Sequence, residues 1–194
     1  MLISFSISLG FFKTKKEIRP LFFLLLLSII TELLVEWMKY RNKEYYFLYH
    51  IFTPLEFLLI AYYFLTSSSI SFFAFYIKIT GFFFILVCLF TLLIKYRLNN
   101  FPDITTYLEG FLIITYSVLG LLILPGQKNK SVFVVSSFWI YLSFLVYFSI
   151  IFIPLFFHAD GKAHIESVFQ VISRIGNWSL YILLSIGFLC LKKT

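Results

Sequence analysis

Apolar residues fill six long blocks along this chain, each close to the 20 or so residues of helix that cross the hydrocarbon core of a bilayer. The blocks predict spanning helices over Pro20–Lys39, Tyr46–Thr66, Ile77–Lys95, Ile104–Leu124, Val132–Phe157 and Ile165–Leu191. Ahead of them, Leu2–Phe12 is apolar for only 11 residues, too short to cross unaided. Charge follows that stretch rather than preceding it, and no A-x-A-like site appears, which argues against a cleaved signal peptide. It is predicted as an interfacial or half-inserted helix, the alternative being the remnant of a seventh span shortened at its start. The expected architecture is all-α: residues 1–19 as a short helix and basic run, and 20–194 as a six-span polytopic bundle.

Between the blocks lie Arg41 with Asn42, the serine run Ser67–Ser69, Asn99–Asp103, Pro125–Asn129 and His158–Lys162. These connections carry turn residues and are too short for an extramembrane domain. Among 194 residues, 61% are hydrophobic and only 13% charged, so a soluble surface cannot be covered and lipid is the expected solvent. The net charge of +7 resides mostly in short basic runs beside the blocks, which is how membrane topology is written and not the continuous basic face of a nucleic-acid binder. For six spans, the ends and even loops hold Lys13, Lys15, Lys16, Arg19, Lys78, Lys128, Lys130, Lys192 and Lys193, against Lys39, Arg41, Lys43, Lys95, Arg97 and Lys162 in the odd loops. That bias puts both termini in the cytoplasm. Lys78 is read as snorkelling to the interface at the start of the third span.

Spans without a G-x-x-x-G pair are expected to lack close backbone contacts, with Phe filling the gaps. Cys88 and Cys190 lie in apolar runs and carry neither a disulfide signal nor metal-ligand spacing.

Ionisable residues inside spans are costly and therefore point to function, which singles out Glu32, Glu36, Glu56, Glu109 and Arg174. By helical rise, all five fall between one surface and about the midplane, because spans two, four and six begin where span one ends. Residues three, four and seven apart share a helix face. Tyr49, Thr53, Glu56 and Tyr63 align in span two; Thr105, Glu109 and Tyr116 in span four; Ser136, Ser143 and Tyr147 in span five; and Ser167, Gln170, Arg174, Asn177 and Tyr181 in span six. The reading is one interior polar site, with Glu32, Glu56, Glu109, Tyr116, Tyr147, Arg174 and Asn177 at its centre and Glu36, His50 and Thr53 at its edge. Hydroxyl stripes are also ordinary interhelical glue. The carboxylates differ: one arginine cannot neutralise four, so the surplus must be protonated, hydrated or matched by a ligand cation. Arg174 is expected to pair with Glu56 first and Glu32 second; the alternative is snorkelling outward.

No H-E-x-x-H, G-x-S-x-G, P-loop or dinucleotide fingerprint occurs, so neither a catalytic residue nor a cofactor is expected. His158, Asp160, His164 and Glu166 match no strong metal template and read as a solvated loop.

The stretches H-I-F-T-P-L-E-F (His50–Phe57), F-W-I-Y-L-S-F-L-V-Y-F (Phe138–Phe148), and Asn177 with the following L-Y-I-L-L-S-I-G-F-L-C resemble a group of uncharacterised small multi-pass inner-membrane proteins of Bacteroidetes-type bacteria. The resemblance implies a bacterial inner-membrane location and no activity. Besides assembly or scaffold roles, three function classes remain open. The first is a ligand- or proton-responsive sensor signalling through a partner protein; the second, a cation- or proton-coupled small-solute transporter or channel; the third, an intramembrane lipid-modifying enzyme using Glu56 or Glu109 as acid or base. The expected partners are the lipid bilayer, a small ligand or proton, and a signalling protein, with no nucleic acid.

Overall fold

A computed structural model describes residues 1–12, 16–68, 70–94, 102–124, 132–158 and 164–191, with the backbone alone for 11, 17, 94, 103, 153–158 and 164–170. The described chain is all-helical: α1 (Leu2–Phe11), α2 (Arg19–Tyr40), α3 (Tyr46–Ser67), α4 (Ser71–Ile94), α5 (Asp103–Ile123), α6 (Ser136–His158) and α7 (His164–Cys190). Helices α2, α3, α4, α5 and α7 are each long and apolar enough to cross a membrane. Helix α6 has 23 residues, apolar over Ser136–Phe152. The basic residues Lys13, Lys15, Lys95, Arg97, Lys128, Lys130, Lys162, Lys192 and Lys193, on which the orientation of the termini rests, lie outside the described residues.

Local chemistry sets the helix ends. Pro20 stands at the first turn of α2, where its missing N–H costs nothing. The helix stops at Asn42, whose φ of 52° is left-handed, a conformation asparagine tolerates better than most residues. There the N–H of Lys43 reaches Met38 O at 3.0 Å and that of Asn42 reaches Lys39 O at 3.0 Å, a Schellman closure that turns the chain toward α3. After α3, Ser68 is extended and its Oγ accepts the Ile70 N–H at 3.3 Å, which restarts the helix at Ser71. Helix α4 thus begins six residues before the expected Ile77. Lys78 is therefore not at the head of a span but about 10 Å along one.

The chain divides into two compact units, Phe12–Glu109 and Met1–Phe11 with Gly110–Thr194. In the first, α3 packs on both α2 and α4. Its core joins Leu21, Leu25, Phe57, Phe64, Phe73 and Phe84, with the Phe57 and Phe84 rings 4.1 Å apart at their centroids. In the second, α7 packs on both α6 and α1.

Burial in α1 is the inverse of what water would select. Ser4 and Ser8 are 1% and 0% exposed, while Leu2 and Ile3 are 71% and 74% exposed. Hydroxyls turned inward and aliphatics outward are the arrangement that lipid favours. Ser4 Oγ donates to Tyr181 O at 2.8 Å and lies 2.9 Å from Ser185 Oγ, which fastens α1 to α7.

The expectation that large side chains alone would fill the interfaces is corrected by two glycines. A Cβ at Gly187 of α7 would stand 2.9 Å from Ile140 Cγ1 and 3.4 Å from the Ser136 carbonyl of α6, and one at Gly120 of α5 would stand 2.8 Å from the Tyr141 ring. A single notch that admits one neighbouring side chain needs no paired glycine, so the absence of G-x-x-x-G did not exclude close approach.

Candidate functional site

The predicted polar residues fall in several distinct settings. At the α2–α3 end of the Phe12–Glu109 unit, Glu36 is exposed and forms an ion pair of 2.9 Å with Lys39. Lys39 also lies 5.3 Å from the Tyr45 ring centroid, and Lys43 6.0 Å from that of Trp37. With Tyr40 and Tyr46, these residues make the aromatic and basic belt found where a helical protein meets lipid headgroups. Glu32 is exposed on α2 and, with Glu36 and Lys39, acts electrostatically on Tyr49. Glu36 therefore belongs to this belt, and Glu32 lies about one turn further along the exposed face of α2. His50, half-buried, sits one residue deeper in α3.

The second setting is the interior of the same unit. Helix α3 carries Thr53, buried, and Glu56, half-buried, on the face that continues to the buried Phe57, Ile60 and Tyr63. Pro54 lies between them inside the helix and offers no N–H to the carbonyl one turn earlier, which makes this the compliant part of α3. Helix α5 begins after Pro102, whose carbonyl accepts both the Thr105 and Thr106 hydroxyls at 3.0 Å. One turn beyond Thr105 comes Glu109, 2% exposed.

The carboxyls of Glu56 and Glu109 act on one another electrostatically, and the buried Cys88 of α4 is within the same reach of Glu109. Glu109 Oε1 is buried with no hydrogen-bond partner. Among the described residues, no ion pair reaches either carboxyl, and no cluster of three His, Cys, Asp or Glu side chains is spaced to hold a metal ion. Helices α3 and α4 thus set a second acid and a thiol within electrostatic reach of Glu109. Sequence reasoning singled out both acids and read Cys88 as packing, and Cys88 is indeed buried in the core; its electrostatic reach to Glu109 was not foreseen.

The remaining predicted residues belong to the other unit. Tyr116 is fully buried in α5 beside Ser117, whose Oγ has no partner. Tyr147 of α6 borders α7, since a Cβ at Gly176 would lie 3.7 Å from its ring, and Asn177 follows, half-buried. Arg174 is exposed. It shares its face of α7 with the exposed Val171, Ile175 and Trp178, and makes no ion pair with a described residue of its unit. The acids of that unit, Asp160 and Glu166, fall outside the described side chains, as do His158, His164, Ser167 and Gln170. Glu56, the partner expected for Arg174, belongs to the other unit.

In comparisons with known proteins, no family, no curated protein and no solved structure matches this chain.

Proposed function

We propose that this chain is a multi-pass membrane protein that responds to a proton or small monovalent cation held between Glu56 and Glu109. The observation that carries the reading is the buried Glu109 oxygen, unpartnered and within electrostatic reach of a second carboxyl. Two carboxylates in a low-dielectric interior repel strongly unless one positive charge accompanies them, and a shared proton or a desolvated cation supplies it. Occupied, the pair holds α3 against the first turns of α5. Vacant, repulsion drives these segments apart, with Pro54 the point at which α3 yields. The proposed reader of the change is a partner protein. A bacterial inner membrane is the proposed location, supported by the sequence resemblance.

The test is infrared spectroscopy of the purified full chain in lipid, following the carbonyl stretch of protonated carboxyls across about pH 5 to 8 and with Na+ or K+ added at fixed pH. The expected result is a band that responds to pH or to one cation, and that is lost in both Glu56→Gln and Glu109→Gln. A spectrum insensitive to pH and cations, or unchanged by both substitutions, would sink the proposal.

A further inference from the structure

A groove of about 540 Å³ runs between α3 and α4 on the surface of the Phe12–Glu109 unit. Leu58, Ala61 and Leu65 form one wall and Ile77, Gly81 and Ile85 the other, so it extends roughly 10 to 12 Å along the helices. Two further groups lining it carry polar atoms, Lys78 and Tyr62, both exposed. Lys78 stands toward the end of the groove nearest the α3–α4 connection and, among the described residues, has no ion-pair or hydrogen-bond partner.

An ammonium seven residues inside an apolar helix is expensive in lipid unless it extends to the headgroup layer or meets an anion. An apolar trough with one cation at its outer end is complementary to a molecule with a long hydrocarbon chain and a single anionic head. We propose that this groove is a binding site for an anionic phospholipid, its acyl chain lying against Ala61, Leu65, Ile77 and Gly81 and its phosphate on Lys78, with the Tyr62 hydroxyl as second donor. A zwitterionic lipid fits the trough equally but brings its own ammonium toward Lys78, so selectivity resides in the charge. This site is independent of the carboxyl pair and stands or falls separately from it.

The probe is phosphatidylglycerol carrying a photoreactive acyl chain, compared with the matching phosphatidylcholine, in nanodiscs containing the full chain at low salt. Crosslinked peptides are mapped by mass spectrometry. In the wild-type protein, labelling of the α3 and α4 groove residues is expected to favour phosphatidylglycerol about fivefold, the selectivity that one basic residue at the headgroup level confers. Lys78→Gln should bring the two lipids to parity, and Lys78→Arg should keep the preference. Gly81→Leu, whose side chain would grow into the groove beside Phe57, should reduce labelling by both. Equal labelling in the wild type, a preference that survives Lys78→Gln, or crosslinks that avoid the groove would overturn the proposal. So would labelling abolished by excess free glycerol phosphate, since that would make the head alone the ligand.

Discussion

Replacing Gly120 by alanine tests how α5 and α6 fit together. The added Cβ would meet Tyr141 Cε2 at 2.8 Å, Cδ2 at 2.9 Å and Cζ at 3.3 Å, the broad side of a ring rather than a flexible tip. Tyr141 is 2% exposed, so the ring cannot swing clear and either it or the helix must shift. Overpacking of this kind costs about 1 to 3 kcal/mol, and alanine's better helix propensity returns at most about 1 kcal/mol. With that return, the net expectation is a loss of up to about 2 kcal/mol. Reversible unfolding in bicelles by steric trapping measures it, with Tyr141→Leu as the second arm of a double-mutant cycle. Once the Tyr141→Leu change has emptied the notch of its ring, adding Gly120→Ala should be neutral or stabilising. Equal effects of Gly120→Ala with and without the ring would show that the ring and the glycine do not share a contact, and the account of this interface would be wrong.

Three further outcomes follow from the contacts. Ser4→Ala removes the hydroxyl that ties α1 to Tyr181 and Ser185 and should cost about 0.6 kcal/mol, at most about 1.7, read as faster proteolytic release of α1; unchanged protease resistance would show that α1 is held by apolar contact alone. Glu36→Gln breaks an exposed ion pair one turn long and should shift stability by less than about 0.5 kcal/mol in thermal melts, so a larger loss would place Glu36 in something other than the surface belt. Arg174→Gln removes a charge from an exposed face and should leave unfolding within about 0.5 kcal/mol of wild type; a loss several times greater would reveal an acidic partner.

The all-helical fold was legible because hydrophobic run length is so strong a signal in a chain with this little charge. Predicted and observed limits of α2 and α3 agree within a residue, since Pro20, Asn42 and Ser67–Ser68 are punctuation that reads locally. Where α4 begins was misjudged because Lys78 looked like a boundary, when an exposed side chain can reach polar surroundings from inside a helix. Helical rise places Glu56 and Glu109 along their helices but does not tell which way a helix is rotated. That is why Glu32 and Arg174, at similar depths by helical rise, could be expected at the centre and yet are exposed. The electrostatic reach between Cys88 and Glu109 depends on how α4 and α5 meet, which no spacing within one helix encodes.

The hydrogen bonds between Ser4 and α7 span 177 and 181 residues of sequence, and this long reach sets an order of assembly. Helix α1 leaves the ribosome well ahead of α7, so the Ser4 hydroxyl must wait for Tyr181 and Ser185, whereas the Ser8 hydroxyl finds Phe5 O within α1 itself. Through most of translation Ser4 is therefore without its partners on α7, and a chain released before Tyr181 is made keeps an α1 that lacks this attachment.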